Sequence, residues 1–360
     1  MIINIIGCIK FIINSFIYKS IKNRAKGAIE LNIRESIELH EQECLSKYAS
    51  VSKNSVGRKI YEKPCEIRTD YQRDRDRIIH CKSFRRLKHK TQVFISPKGD
   101  HYRTRLTHTL EVSQISRTVA RALRMNEDLT EAIALGHDLG HTPFGHAGEG
   151  ALNGLCPGGF KHYEQSVRVL SVLEKSGKGL NLTEEVLNGI LCHTKGPEAF
   201  TAEGRIVRLC DKIAYINHDI EDSVRAGIIK IEDLPKEFTD VCGSQYSERI
   251  NSMVMSVVNN SFKGEIKMSE QMQKIFQNVH EFMYSSVYLN KRSFSDDAKV
   301  PFVIESLYKY FINNINKIPQ YLREIADRET PERAVCDYIA GMTDSFAADI
   351  FKEIFLPKSV

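Results

Sequence analysis

The run from His137 to His146, HDLGHTPFGH, constrains this chain more than any other stretch. It holds three histidines and an aspartate within ten residues, headed by the pair His137-Asp138. Imidazole nitrogens and carboxylate oxygens suit a borderline or hard divalent ion, and no cysteine lies nearby to suggest a thiolate site. Because adjacent residues of a helix point about 100° apart, the pair can share one ion only from the edge of a helix that faces a cavity. The chain must therefore fold so that other helices bring further ligands to this point.

Two residues far away along the chain are candidates for those ligands. His108 precedes the pair, and Asp211 follows it within a largely apolar helical segment. Taken alone, His108 would more often be a capping or surface residue, and Asp211 would form a buried ion pair. A buried carboxylate needs a strong partner, and a metal ion is one. Ten of the twelve histidines lie between His80 and His218, which favours the metal interpretation for both residues.

The pattern of apolar residues predicts an all-α fold. Leu110, Ile115, Val119 and Leu123 recur at helical spacing, and Asn126 has the position of the N-cap of a following helix. Further amphipathic runs cover residues 163–175, 184–192 and 207–216, with glycine- and proline-rich loops at 156–159 and 195–197. No alternation of period two is sustained, so a sheet-based core is not expected. With 360 residues, of which 42% are hydrophobic, the chain is long enough for a substantial buried core.

Charge and cysteine usage narrow the range of functions. The net charge of +5 fits an anionic substrate such as a nucleotide, but it is too small to require a nucleic acid. The basic run from Arg85 to Lys90 predicts a solvated helix face, with nucleic-acid binding as the alternative. The nine cysteines include no C-x-x-C pair, which is typical of reduced thiols in a cytoplasmic protein. Because the chain has no glycine-rich phosphate loop, phosphate binding must come from side chains and metal.

Residues 1–30 differ from the rest of the chain. They are rich in isoleucine and phenylalanine, but Lys10 interrupts the apolar run, which is shorter than a bilayer requires. No small-x-small cleavage site follows, as a secretory signal would need. We therefore expect an N-terminal extension that carries no chemistry, rather than an amphipathic membrane anchor, and no membrane association.

Four segments together resemble a known family. They are residues 103–111 (RTRLTHTLE), 137–146, 211–219 (DKIAYINHD) and 336–344 (CDYIAGMTD). In this order they resemble the bacterial deoxyguanosine triphosphate triphosphohydrolases of the HD superfamily of metal-dependent phosphohydrolases, from about Leu31 to the C-terminus. The resemblance implies an HD core at residues 104–220. It also implies an N-terminal helical region at 31–103 that contributes contacts to sugar and phosphate, and a C-terminal helical region at 221–360.

The resemblance also implies a reaction. Deoxynucleoside triphosphates would be hydrolysed to deoxynucleoside and inorganic triphosphate, with a divalent ion (Mg, Mn, Fe, Ni or Co) as cofactor. A homo-oligomer is expected, and single-stranded DNA is a further candidate partner. The alternatives are another HD phosphohydrolase, acting on nucleoside monophosphates or alarmones, and a nucleic-acid-binding module with a structural metal.

Roles for individual residues follow from the same resemblance. The metal ligands would be His108, His137, Asp138 and Asp211. Imidazole titrates close to neutral pH, so the acid–base candidates are His141, His146 and His162. Glu149, three residues after His146, would orient that ring. The triphosphate would be bound by Arg105, Lys212 and Tyr215, and the sugar 3′-hydroxyl by Gln92 and Asp219. Tyr288 either stacks under the deoxyribose or packs in the core.

Overall fold

The computed structural model describes residues 31–92, 103–194, 196–288 and 297–357. The expectation for residues 1–30 lies outside this part of the chain. The described residues contain no strand, only three isolated bridges, so the predicted all-α fold is confirmed. No described helix is long and apolar enough to cross a membrane. The eight cysteines among the described residues are free thiols.

The helices are numbered here along the described chain. They are α1 (Ile33–Cys44), α2 (Asp70–His80), α3 (Lys82–Arg86), α4 (Arg105–Ala122), α5 (Glu127–Gly136), α6 (Gly145–Leu155), α7 (His162–Arg168), α8 (Glu174–Gly177), α9 (Glu184–Leu191), α10 (Ala202–Arg225), α11 (Lys236–Cys242), α12 (Tyr246–Asn260), α13 (Glu270–Met283), α14 (Val300–Asn313), α15 (Gln320–Arg328), α16 (Pro331–Ala340) and α17 (Asp344–Phe355). Short π-helical segments follow α7 and α13, at Val169–Leu173 and Tyr284–Tyr288.

Capping side chains fix the start of the helices that carry the site. The side chain of Asn126 accepts a hydrogen bond from the backbone N–H of Leu129, which confirms the predicted N-cap of α5. Thr201 caps α10 in the same way through the N–H of Gly204. These bonds satisfy backbone donors that have no partner inside the helix.

The first hydrophobic core surrounds α4, α5 and α10. Val119 of α4, Ile133 of α5 and Ile213 of α10 are each fully buried in it. Helices α12 and α13 also bury their apolar faces in this core, through residues such as Met253 and Ile275. This packing sets the three helices α4, α5 and α10 side by side, so that polar residues of α4 and α10 can meet those at the end of α5.

A second core is built from α14 to α17. It includes Leu152 of α6 and Phe160 from the loop before α7. Polar contacts reinforce this junction, because Arg168 and Gln165 of α7 both donate to the buried Asp337 of α16. The region after residue 220 is therefore divided between two cores, and the second core rests directly on α6 and α7.

Gly140 allows a close approach that shapes the site. A Cβ atom there would lie 2.2 Å from the backbone nitrogen of Ser166 and 2.3 Å from the carbonyl oxygen of His162. The Ser166 hydroxyl also accepts from the Gly140 N–H at 2.9 Å. The turn after α5 therefore lies directly against α7, as expected for a close-packing glycine, and this brings His141 next to His162.

Candidate active site

The four residues predicted as metal ligands meet in one buried cluster. His108 comes from α4 and Asp211 from α10, and their Nε2 and Oδ1 atoms are 3.1 Å apart. His137 and Asp138 lie in the turn after α5, because that helix already ends at Gly136. The Nε2 atom of His137 is 3.5 Å from Asp138 Oδ1 and 3.7 Å from Asp211 Oδ1. The pair thus reaches the cluster from a helix end, not from a helix edge as the sequence suggested.

The environment of His137 tests whether a cation fits between these groups. Its Nδ1 lies 2.6 Å from the carbonyl oxygen of Ala134, so Nδ1 carries the proton and Nε2 carries the lone pair. The buried Nε2 has no hydrogen-bond partner among the described residues, although it faces two carboxylates. Lone pairs that face each other in a buried space need a cation between them. Two imidazole nitrogens and two carboxylates therefore fit a divalent metal ion.

His218 orients His108, and the sequence analysis had assigned no role to His218. The Nδ1 atoms of His108 and His218 are 3.2 Å apart, and the Nε2 of His218 contacts the carboxylate of Glu111. Burial lowers the pKa of His218 to about 4, so its ring is neutral near pH 7. A neutral His218 that donates to Glu111 through Nε2 can accept the Nδ1 proton of His108. The Nε2 lone pair of His108 is then free for a metal, in the way that outer partners orient metal-binding histidines.

Arg105, which was predicted to bind the triphosphate, is almost completely buried. Its side chain is 2% exposed, and it donates to Asp138 Oδ2 at 2.8 Å. Burial alone would raise the pKa of Asp138, but His137, His141 and Arg105 hold it well below its usual value. Arg105 therefore keeps a proposed ligand ionised. A contact between Arg105 and a triphosphate stays a prediction.

The histidines predicted for acid–base work lie beside the cluster. The rings of His141 and His162 stack with centroids 4.0 Å apart, and the His146 ring lies 5.8 Å and 6.4 Å from them. Glu149 of α6 accepts hydrogen bonds from both the backbone N–H and the ring Nδ1 of His162, each at 3.0 Å. It also lies 3.5 Å from Nδ1 of His146, one helical turn earlier. One carboxylate thus contacts two of the three rings.

The three rings differ in their exposure. His146 has a side chain that is 81% exposed, whereas that of His141 is only 4% exposed. Burial, together with the nearby charges of Arg105 and His162, holds the pKa of His141 well below its usual value. A ring that is neutral near pH 7 has no extra proton to give. The low pKa of His141 therefore argues against His141 as the proton donor.

His193 is a further member of the cluster that sequence reasoning missed. It follows α9, and its ring centroid is 5.0 Å from that of His137 and 5.4 Å from that of His162. His137, His193 and Asp211 have ligand atoms within 4.8 Å of one another, an arrangement that a metal ion could occupy. Its Nδ1 lies 2.7 Å from the carbonyl of Ile190, three residues earlier, as the Nδ1 of His137 does from Ala134. A histidine within two residues of the end of a buried helix is the sequence signal that both residues share.

The residues predicted to bind the sugar include buried polar atoms without partners in the part of the chain that the structure describes. Asp219 of α10 is 4% exposed and accepts a short hydrogen bond from the hydroxyl of Tyr288. Burial raises the pKa of Asp219 to about 7, and its Oδ1 atom has no hydrogen-bond partner among the described residues. The Oε1 atom of Gln92 is likewise buried without a partner in the described chain. Such polar atoms are suited to a ligand hydroxyl.

Basic residues occupy the other end of the same face of α10. Lys212 lines a cavity of about 760 Å³ together with Arg205, Arg208, Lys263 and Lys267. Burial and the nearby Arg208 lower the pKa of Lys212 from its usual value. Tyr215 lies one turn after Asp211, and burial raises the pKa of its hydroxyl. Along α10 the side chains therefore change from basic at Arg205 and Arg208 to acidic at Asp219, and Asp211 and Lys212 lie next to each other between these ends.

Comparison with known proteins agrees with this architecture. Residues 105–216 match the HD domain family, and residues 266–353 match the phosphohydrolase-associated domain family. The fold and the histidine–aspartate cluster thus define a metal-dependent phosphohydrolase of the HD domain class. A deoxyguanosinetriphosphate triphosphohydrolase-like protein from Caldanaerobacter subterraneus is 56% identical over 91% of this chain and 97% of its own. One from Clostridium perfringens is 52% identical over 92% of this chain and 99% of its own.

These relatives identify the family. The chain belongs to the deoxyguanosinetriphosphate triphosphohydrolase-like proteins, as the sequence motifs indicated. A crystal structure of a phosphohydrolase from Bacteroides thetaiotaomicron aligns with a TM-score of 0.47 and 15% identity, over 78% of this chain and 69% of that one. That likeness is too weak to bear on function.

Proposed function

We propose that this protein hydrolyses deoxynucleoside triphosphates to deoxynucleoside and inorganic triphosphate. The observation that carries the proposal is the arrangement along α10. Along this helix Asp211 lies between a basic end at Arg205 and Arg208 and an end at the buried carboxyl of Asp219, which contacts the Tyr288 hydroxyl. A nucleotide placed with its α-phosphate at Asp211 would direct its other phosphates towards the basic end and its sugar towards Asp219.

The metal centre would consist of His108, His137, Asp138 and Asp211. A divalent ion held there would supply Lewis-acid chemistry, because it draws charge from a phosphate oxygen and makes water more acidic. The residues around it have separate tasks in the proposal. Arg105 keeps Asp138 ionised through their 2.8 Å contact.

His146 would protonate the departing 5′-oxygen of the nucleoside. Its ring is exposed, and Glu149 lies 3.5 Å from the Nδ1 atom, so Nε2 remains available for a substrate. His162 has its Nδ1 against the same carboxylate at 3.0 Å and would bind the phosphate or share the proton. Proton donation of this kind typically contributes on the order of 10²–10⁴ in rate.

Product analysis tests the reaction. Pure protein would be incubated with each of the four deoxynucleoside triphosphates and with each candidate metal, and the phosphorus products separated and identified by NMR. We expect inorganic triphosphate and free deoxynucleoside, and in water labelled with heavy oxygen we expect the label in the triphosphate. Pyrophosphate together with a nucleoside monophosphate would contradict the proposal, because the chain would then cleave between phosphates.

Tyr288 provides a test of the sugar site with a matched control. Tyr288→Phe removes the hydroxyl that Asp219 accepts from, whereas Tyr284→Phe alters an exposed tyrosine of the same π-helical segment. We expect Tyr288→Phe to change the ratio of kcat/KM between dGTP and GTP, and Tyr284→Phe to leave it unaltered. An unchanged ratio in both variants would assign Tyr288 to core packing.

A further inference from the structure

Lys90 is a buried lysine that the reaction scheme above does not use. It closes the basic run from Arg85, but its residue is only 3% exposed. Its Nζ donates to the carbonyl oxygen of Ala340 at 2.8 Å and, in a shorter hydrogen bond, to that of His141. Ala340 is the last residue of α16, whereas His141 lies in the loop between α5 and α6, residues 137–144, which we call the active-site loop. One buried amino group therefore links the C-terminal helices to this loop. The prediction of a solvated face is wrong for Lys90, although Arg85, Lys88 and His89 are exposed.

Asp344 makes a second link between the same parts of the molecule. It is the first residue of α17, and its Oδ1 accepts from the backbone N–H of Phe144 at 2.9 Å. Its Oδ2 accepts from the backbone N–H of Thr91 at 2.8 Å and from the Thr91 hydroxyl. The two contacts tie α17 to the loop before α6 and to the residue after Lys90.

Phe144 has a backbone conformation that needs such support. Its φ of +63° lies in the left-handed region, which a residue with a side chain rarely adopts. A residue in this region persists when surrounding contacts hold it there. Phe144 immediately precedes α6, the helix that carries His146 and Glu149. The conformation of Phe144 therefore sets the position and direction in which this helix starts.

We propose that Lys90 and Asp344 are positioning residues for the active-site loop. Together they fix its backbone at His141 and Phe144 from the C-terminal side of the molecule, and so aim the rings of His141 and His146. The inference rests on the proposed role of His146 as the proton donor. It assigns a task to the phosphohydrolase-associated region, which contains both Ala340 and Asp344 and matches its family over residues 266–353.

The inference can be tested with two variants and two matched controls. Lys90→Met keeps the length of the side chain but removes the amino group, and Asp344→Asn keeps its shape but removes one acceptor. The controls are Lys88→Met, in the same basic run, and Asp349→Asn, on the same helix; both residues are exposed. Each protein would be assayed with bound metal, after its metal content and melting temperature have been measured.

We expect kcat to fall by roughly tenfold to a hundredfold in both variants, because small displacements of aligned groups cost rate in this range. KM and metal content should stay close to those of the wild type. With a nitrophenyl phosphodiester, whose leaving group needs no proton, the loss should be smaller, since a misplaced His146 matters less there. The two controls should behave as the wild type on both substrates.

Hydrogen–deuterium exchange of the loop gives a readout that does not depend on the reaction. Residues 139–147 should exchange faster in Lys90→Met and Asp344→Asn and at the wild-type rate in the controls. Thr91→Val removes only the hydroxyl that donates to Asp344, and should show a smaller change in the same direction even if the stronger variants fail to fold. If wild-type protein releases no triphosphate, the proposed function fails, whereas the exchange result still decides the positioning role.

Two outcomes would overturn the inference. One is unaltered loop exchange and unaltered kcat in the variants that fold. The other is an equal loss on both substrates that follows the melting temperature, which would mean that Lys90 and Asp344 only hold the two parts of the fold together.

Discussion

Replacing Asp211 with asparagine should change stability in opposite directions with and without metal. Asp211 Oδ1 and Asp138 Oδ1 both lie within 4 Å of the Nε2 atom of His137, so the two carboxylates face the same small space. Without a cation they repel each other, and with one they bind it. Asp211→Asn keeps the size of the side chain but removes one of the two charges.

The magnitude follows from the separation of the charges. Because both oxygens lie within 3.7 Å of the same nitrogen, they are at most about 7 Å apart, and two unit charges at that distance, at an effective dielectric constant of about 20, interact by roughly 2 kcal/mol. The contact between Arg105 and Asp138 offsets part of this repulsion, so we expect metal-free Asp211→Asn to gain about 1–2 kcal/mol over the metal-free wild type. With metal, the wild type gains about 4 kcal/mol when free metal exceeds the dissociation constant roughly a thousandfold. The variant should lose most of that gain.

Thermal denaturation with chelator and with added metal, together with elemental analysis, measures both effects. The melting temperature of Asp211→Asn should lie above that of the wild type in chelator and below it in metal. Asp240→Asn, at an exposed position of α11, is the matched control and should follow the wild type in both conditions. Wild-type metal content and wild-type stabilisation by metal in Asp211→Asn would refute the assignment of this residue as a ligand.

Three further predictions concern packing, pH and proton transfer. Gly140→Ala should lower the free energy of unfolding by about 1–3 kcal/mol because its Cβ would meet backbone atoms, whereas Gly150→Ala, exposed in α6 with open space, should raise it by up to about 1 kcal/mol in denaturant titrations. Because burial raises the pKa of Asp219 to about 7, against about 3.9 in the unfolded chain, the folded state holds a proton that the unfolded state has released. Between pH 6 and pH 8 the free energy of unfolding of the wild type should therefore fall by about 1.4 kcal/mol relative to that of Asp219→Asn, a difference that cancels the opposite contribution of Lys90, whose pKa burial lowers to about 7; an identical pH dependence in the two proteins would contradict the assignment. His146→Ala should keep its metal but lose on the order of 10²–10⁴ in kcat on nucleotides and less on a nitrophenyl ester, and equal losses on both substrates would exclude proton donation by His146.

Local patterns in the sequence determined the helices and their caps. Apolar spacing predicted α4, α5, α9 and α10, and Asn126 marked the start of α5, since these depend on contacts between residues a few positions apart. The end of α5 was less predictable. The helix stops at Gly136, where the turn before Gly140 must lie against α7. That boundary depends on a neighbour distant in sequence.

Most residues of the candidate site could be predicted from the sequence, because their side-chain chemistry and the family motifs pointed to them. The structure gathers His108, His137, Asp138 and Asp211 at the point where three helices meet. It adds residues that no motif had assigned to a role. His193 joins from the end of α9, while Glu111 and His218 form the outer support of His108.

Lys90 shows why the tertiary structure had to decide the rest. By composition it belongs to a basic run, for which a solvated face is the ordinary expectation, and its neighbours Lys88 and His89 are indeed exposed. Its burial depends on carbonyl groups at His141 and Ala340, which lie 51 and 250 residues away along the chain. A sequence states which side chains carry charge and how they repeat, but the free energy of burying a charge depends on the partners that the complete fold brings to it. The helices and the ligand types were thus determined locally, whereas the partners of the buried polar groups were determined only by the packing of distant helices.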